Sequence, residues 1–420
     1  MKILISAYAC EPNSGSEPGI GWNIARKMAD YHEIWVLTWA GRRPAIEAET
    51  TRNPVPNLHF IYYGWWGERL WRRSFGLYLH YYLWQIAAYT ITFRLNRQLK
   101  FDLLHQVTYS TYKIPSFLTF LSVSMIWGPL SGGESAPKSF RKDFNLFGKV
   151  YEFLRDVNRW LGEHDPFVRL TLQRSALVLA ATEDTAARLN QLGTKDVRVF
   201  SFVGLPQSEI SHLAEYELPK SNPVRFISIG RLLHWKGFHL SLQAFALNQP
   251  KLDGAEYWII GEGPEHNRLQ RLAQTLEISP QVLFWGNLPR EDTLNKLGEC
   301  HVLIHPSLHE SGGFVCLEAM AAGRPVICLD LGGPAIQVTK ETGYKIPAQN
   351  PEQVVHDIAD AMHSLAVNPK LRLHLGQAAR KRANEMFNWT FKEQFYNQIY
   401  KEVSFSQQID TDSNANPQRT

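Results

Sequence analysis

The chain has 420 residues, too many for one ordinary hydrophobic core, so two domains are the default. Apolar residues make up 44% and charged residues 20%, the composition of a soluble globular protein. The net charge of +4 excludes a general nucleic-acid binder, which needs a strong basic excess, although it leaves room for a local basic face.

The first apolar run, "KILISAYA", meets Glu11 and Pro12 almost at once. It reads as a buried strand and not as a signal peptide. "EIWVLT", "LHFIYY", "DLLHQV", "SMIWG", "ALVLAA" and "VRVFSF" follow as further strands, with amphipathic segments between most of them. Residues 77–93, "LYLHYYLWQIAAYTITF", carry no acid, lysine or arginine. The run falls just short of the ~20 residues a spanning helix needs, and His80, Gln85 and several tyrosines dilute it. It reads first as a buried helix. Its basic flanks (Arg69, Arg72, Arg73, Arg94, Arg97, Lys100) and aromatics also allow a helix at a membrane surface. The nearby "YYGWWGERLWRR" adds further aromatic and basic residues.

Residues 204–223 hold three prolines and no clear strand, and the strand pattern restarts at "VRFISIG". It continues through "AEYWIIG", "QVLFWG", "HVLIHP", "PVICLD" and "GYKIP". Strands alternating with helices imply parallel sheets, so the fold class is α/β with two doubly wound, Rossmann-like domains. The boundaries read as an N-terminal domain at 1–204, a linker at 205–222 and a C-terminal domain at 223–388. A late helix over 389–403 can return to the N-terminal domain, and a polar tail at 404–420 reads as disordered. The Asp410-Thr411-Asp412 string in that tail is not a credible metal site, and the histidines lack ligand spacing elsewhere. Cys10, Cys300, Cys316 and Cys328 form no close pair and read as reduced, buried thiols of a cytosolic protein.

The chemistry concentrates around "HESGGFVCLEAMAAGRPVI", which starts at His309. A buried strand ends at Pro306, a loop follows, and a helix opens at Gly312-Gly313 and closes at Gly323. Ligands of such folds bind beyond the carboxyl ends of strands, and a helix mouth offers free N–H groups to phosphate. Gly313, Phe314 and Val315 can present those amides. Glu310 and Glu318 would repel phosphate, so they must face hydroxyls: Glu318 a ribose diol, Glu310 a sugar. Arg231 and Lys236, in the loop after "FISIG", supply cations for a diphosphate.

These residues resemble a known family. "GRLLHWKG", "IIGEGPE", "WGNLP" and "HPSLHESGGFVCLEAMAAGRPVICLDLGG" are similar to the retaining glycosyltransferases of family 4, whose two glutamates follow an E-x7-E spacing. The resemblance covers the second domain and extends more weakly to the first through "GSEPGIGWNIARKMA" and "WGPLSGGESAP". It implies a GT-B fold, with two domains facing across a cleft, and a sugar donor of the UDP or GDP type. Arg231 and Lys236 would neutralise the diphosphate, Glu318 hold the ribose, and Glu310 contact the sugar or organise its phosphate. Leu288 would lie beside the base. Gly15 and Ser16 would face the phosphate from the first domain, where the family usually has Gly-Gly; Ser16 departs from that pattern. The family's histidine after "SMIWG" is missing at Gly128, which leaves His105 as the alternative catalytic histidine and Glu134 as an acceptor-side group.

The implied reaction moves a sugar to a saccharide or lipid-linked acceptor in cell-surface or extracellular polysaccharide synthesis, with no metal and no cofactor. The expected setting is cytoplasmic, at or near the inner face of the membrane, with peripheral contact through the N-terminal domain and no nucleic-acid partner. Three rivals stand beside it. A nicotinamide oxidoreductase lacks the third glycine after Gly19 and Gly21. A nucleotide-sugar epimerase shares the architecture. A non-catalytic nucleotide-sugar-binding subunit would have little reason to keep Arg231, Lys236, Glu310 and Glu318 together.

Overall fold

Strands that are apolar on both faces need helices on both faces, and a computed structural model shows how this chain provides them. The structure describes residues 1–64, 76–219, 223–249, 252 and 254–415. Two parallel sheets form.

The first contains β1 (Lys2–Ala7), β2 (Glu33–Trp39), β3 (Leu58–Tyr63), β4 (Leu103–Thr108), β5 (Met125–Leu130), β6 (Leu177–Ala180) and β7 (Val197–Val199), in the order β3-β2-β1-β4-β5-β6-β7. Its helices are α1 (Ser16–Met28), α2 (Arg43–Arg52), α3 (Gly76–Leu99), α5 (Pro166–Arg174) and α6 (Glu183–Gln191), while α4 (Leu146–His164) belongs to it only from Asp156 on. Central strands β4, β5 and β6 are buried throughout, whereas the edge strands β3 and β7 are half-exposed. That is the pattern of a sheet covered on both faces and open at its rims. Register follows the apolar residues, with Ile3 beside Ile34 and Leu4 beside Leu104.

The second sheet contains β8 (Arg225–Ile229), β9 (Glu256–Ile260), β10 (Val282–Gly286), β11 (Val302–His305), β12 (Val326–Leu329) and β13 (Gly343–Ile346), in the order β10-β9-β8-β11-β12-β13. The helices are α7 (Gln207–Ala214), α8 (Phe238–Asn248), α9 (His266–Thr275), α10 (Arg290–Gly298), α11 (Phe314–Ala321), α12 (Gly332–Gln337), α13 (Pro351–Val367) and α14 (Pro369–Met386). The last helix, α15, spans Trp389–Ala415. In each sheet the strand order reverses once, between β1 and β4 and between β8 and β11. These reversals are the switch points at which such folds bind ligands.

The chain divides into two units that do not follow the expected boundaries. One comprises Met1–Gly133, Asp156–Phe202 and the residues from Lys392 on; the other comprises Glu134–Arg155 and Val203–Phe391. The expected linker at 205–222 is therefore part of the second unit wherever it is described. It forms α7, and Arg324 donates to the Glu217 carbonyl at 2.7 Å, so its prolines punctuate a packed segment and do not mark a free one. Residues 134–155, expected in the first domain, bury Phe140 and Phe144 in the second unit's core. The tail expected to be disordered continues α15 to Ala415; residues 416–420 and the Asp410 and Asp412 side chains lie outside what is described.

Helix α3 buries one face in the first unit. Tyr81, Trp84 and Ala88 pack with Tyr8, whose ring lies 5.2 Å from that of Trp84. Tyr78, Leu79, Ile86 and Phe93 are exposed on the same helix. Among the described residues no helix is long and apolar enough to cross a membrane. The stretch at 65–73, with its tryptophans and arginines, lies outside the described residues. All four cysteines are free and buried, and burial pushes their thiols up.

Candidate donor site in the second unit

The second switch point is built by loops that interlock through glycine. After β8, the loop 230–237 ends at Gly237, which has φ +72°. A Cβ there would lie 2.0 Å from the Pro306 carbonyl oxygen, so only glycine lets this loop press against the one after β11. The Leu308 N–H donates to the Trp235 carbonyl at 2.8 Å across the same seam. This contact carries Lys236 to Glu310, and the two side chains form an ion pair. His305, at the end of β11, places Nε2 3.8 Å from the same carboxylate.

Helix α12 holds the Glu310 loop from the other side. The Gly333 N–H donates to the Glu310 carbonyl at 2.8 Å, and Gln337 donates to the Gly312 carbonyl at 2.6 Å. Gly332 has φ +58°, and a Cβ on it would lie 2.1 Å from the Glu310 carbonyl oxygen. Burial pushes the Glu310 carboxyl up. Lys236, His305 and the Gly312 N–H outweigh that and hold it below the usual carboxylate range. The same surroundings push His305 down to about 4, chiefly by burial and then by Lys236, so it is neutral beside the pair.

Gly313 caps α11 in the left-handed region at φ +79°, and no side chain caps the helix. Its first N–H groups, with those of Phe314 and Val315, point away from any intrahelical partner. Arg231, just beyond β8, is exposed, and its carbonyl accepts from the Leu233 N–H at 2.9 Å. Leu288 follows β10 and is half-buried, its carbonyl accepting from Thr293 Oγ1 at 3.4 Å. The second unit thus brings Lys236, Glu310 and Gly313 onto adjoining loops, with Arg231 and Leu288 at neighbouring strand ends.

Glu318 lies on α11, buried, and accepts from Arg290 at 2.8 Å. Arg290 also pairs with Glu209. Burial raises the Glu318 carboxyl, and Arg290 only partly offsets it. Sequence reasoning missed both Arg290 and Glu209, which stand on different elements with no spacing signal. It also missed Glu152 on α4, a buried carboxylate 3.4 Å from His234 and 3.2 Å from His309. Burial alone would raise Glu152; the two histidines and Arg155 bring it far below the usual range.

The match to known proteins falls on this unit. Residues 213–382 match the family model of glycosyl transferases group 1. The lipopolysaccharide core biosynthesis glycosyltransferase LpsE of Rhizobium meliloti (strain 1021) is 35% identical over 159 residues, 37% of this chain and 45% of that protein. The N-acetyl-alpha-D-glucosaminyl L-malate synthase of Bacillus anthracis is 28% identical over 244 residues, 56% of this chain and 62% of its own. The chain spans less than two thirds of the length of these relatives. The solved structure of HepE from Anabaena in complex with UDP has a TM-score of 0.60 at 17% identity, covering 96% of this chain and 100% of that one. At that identity the likeness is one of fold alone, that of Rossmann-like domains of the GT-B class.

The matched stretch does not contain every residue singled out in the sequence. Gly15 and Ser16 lie in the first unit at the mouth of α1, both exposed. Ser16 has φ +59°, a conformation that glycine adopts without strain. Relieving a left-handed serine is worth about 1–2 kcal/mol, and glycine's extra chain entropy costs roughly 0.5–1. Ser16→Gly is expected to stabilise the protein by about 0.5 kcal/mol, read as a small rise in the urea midpoint.

His105 is corrected to a core residue. It is fully buried, with Nδ1 2.6 Å from the Tyr400 hydroxyl and Nε2 2.8 Å from the Gly128 carbonyl. Burial pushes it down to about 4, so it is neutral, with both nitrogens engaged and no route to a substrate proton. Glu134 belongs to the second unit and is 2% exposed, its segment being drawn into that core by Phe140 and Phe144.

Proposed function

We propose that the protein is a retaining glycosyltransferase that uses a nucleotide-diphosphate sugar of the UDP or GDP type. Its acceptor is a saccharide or a lipid-linked saccharide, in the synthesis of a cell-surface or extracellular polysaccharide. The observation that carries this reading is the Lys236–Glu310 pair at the β8/β11 switch point, beside the uncapped mouth of α11 at Gly313. An anion-binding helix mouth next to a cation and a carboxylate suits a charged tether with a hydroxylated sugar attached.

In this reading the bond from the anomeric carbon to the diphosphate oxygen breaks, and its electron pair leaves with the diphosphate. Lys236, Arg231 and the amides of Gly313, Phe314 and Val315 are preorganised for that departing charge. Glu310 faces the sugar, and Leu288 lies beside the base. The acceptor attacks from the leaving group's face, and the departing oxygen takes the acceptor's proton. Glu318 holds the ribose, which requires it to share or exchange Arg290. Protein cations supply the positive charge, so no metal enters the reaction.

The test is a thermal-shift screen of nucleotide sugars with a chelator present. One UDP- or GDP-sugar is expected to raise the melting temperature, by the equivalent of about 2.7 kcal/mol at a hundredfold excess over its Kd. Arg231→Ala and Glu318→Ala are each expected to abolish the rise. An undiminished rise in both variants means that the donor binds elsewhere.

A further inference from the structure

Helix α4 is built inside out. Its inward residues are small or charged: Gly148 and Gly162 are buried, Glu152 is buried, and Arg155 and Arg159 are half-buried. A Cβ on Gly148 would lie 3.0 Å from the His234 ring, and one on Gly162 would lie 2.7 Å from Lys113. Its outward residues are large and apolar. Phe147 is 69% exposed, Phe153 65%, Leu154 57%, Trp160 56% and Leu161 57%. At 3.6 residues per turn these positions fall on one broad stripe along the helix. A core helix has the opposite arrangement, because exposed apolar area costs free energy and an inward charge must be paired. Here the inward charges are paired, and among the described residues nothing covers the stripe.

The charge around the stripe identifies what covers it. Lys149 flanks it, Lys138 and Lys142 lie in the 3-10 turn leading into it, and Arg169 follows it; all are exposed. Asp156 and Glu163 are neutralised by Arg159 at 2.6 Å and Arg188 at 3.1 Å, which leaves Asp143 as the exposed acid nearby. An apolar stripe with tryptophan and phenylalanine and a basic border matches an anionic lipid surface. A second copy docking on the same stripe would set one basic border against another.

We propose that α4 lies in the plane of an anionic membrane, with its apolar stripe among the acyl chains and its lysines at the headgroups. The inference rests on the helix alone and not on the transferase reading. It reaches the donor site nonetheless. The Tyr151 ring stacks on Trp235 at 4.9 Å, and Trp235 stacks on His309 at 5.0 Å, next to Glu310. One helix therefore seats on the membrane with one face and supports the donor loops with the other.

The test is co-sedimentation of the full chain with phosphatidylglycerol/phosphatidylcholine vesicles and with phosphatidylcholine vesicles, at low and high salt. The protein is expected to bind the anionic vesicles, less so at high salt. The triple variant Phe147→Glu/Phe153→Glu/Trp160→Glu is expected to bind about a hundredfold more weakly. Because these side chains are exposed, its melting temperature and its donor-induced thermal shift should match the parent's. Lys138→Glu/Lys142→Glu/Lys149→Glu, a second route should the first variant fold poorly, is expected to remove the preference for anionic vesicles. The proposal is overturned if the parent ignores anionic vesicles at low salt, or if either variant binds them unchanged. It is equally overturned if sedimentation equilibrium finds a dimer that the triple variant dissolves while vesicle binding persists. Loss of the donor-induced shift in the parent would count against the transferase reading and leave this one standing.

Discussion

Lys236→Ala is expected to lower the rate of sugar transfer by about 10²–10³-fold, the cost of removing one preorganised donor to developing charge. Lys236 has two jobs in the second unit. It is a cation beside the helix mouth at Gly313, and it compensates the carboxylate of Glu310. Removing it leaves Glu310 half-buried beside His305, which burial already holds in the neutral form. The Glu310 carboxyl should therefore rise from its depressed position. In the parent, a depressed carboxyl contributes stability that is present above its unfolded value and lost as pH falls through its folded one. In Lys236→Ala that contribution shrinks, and the acid limb of the rate profile moves to higher pH. A rate profile over pH at saturating donor checks both parts. An unchanged rate with an unchanged acid limb would place the chemistry away from this pair.

Lys392→Met is expected to stabilise the protein at neutral pH by on the order of 2–4 kcal/mol. Lys392 is fully buried in the first unit, near the start of α15. It donates to the Ser201 carbonyl, and its ammonium lies 4.5 Å over the Phe200 ring. These two contacts do not replace the water it loses, and burial pushes its pKa from 10.5 to about 7. The sign follows from proton counting. Between about 7 and 10.5 the unfolded chain holds this proton more often than the folded one, so stability climbs as pH rises through that window. Below pH 7 both states are protonated and the full cost of burying the charge is present. Methionine matches the volume and carries no charge, so the variant should gain most near pH 7 and below and least near pH 10. Urea titrations of both proteins across this range read the slope directly. Parallel pH profiles would show that Lys392 does not lose its proton on folding.

Parts of this molecule were legible in the amino-acid order because they depend on local properties. A run such as "FISIG" or "HVLIHP" is apolar at every position, which suits a strand covered on both faces. The structure has β8 and β11 there. Gly237 and Gly313 mark loops that require left-handed backbone, and both have it. Glycines, cations and acids in strand–loop–helix contexts were enough to name the loops that meet at the second switch point. Sheet topology then brought Lys236 and Glu310 together across seventy-odd residues, by the reversal of strand order between β8 and β11.

Other features depend on which surface lands where, and no local pattern encodes that. His105 looked available at a strand end, but α15 returns and puts Tyr400 on its ring. Residues 205–222 looked like a linker because prolines are a local signal. A hydrogen bond from the buried Arg324, more than a hundred residues later, ties their described part into a domain. The partners of Glu318 come from α7 and α10, whose charges are unremarkable alone. Helix α4 shows the difference most sharply: its amphipathic spacing is plain in the amino-acid order, but spacing cannot say which face turns inward. Tertiary packing decided that, because Glu152 finds His234 and His309, and among the described residues nothing covers the apolar stripe. Periodicity and backbone preference act within a few residues of chain, whereas burial and charge pairing are settled among groups that meet only once the chain has folded.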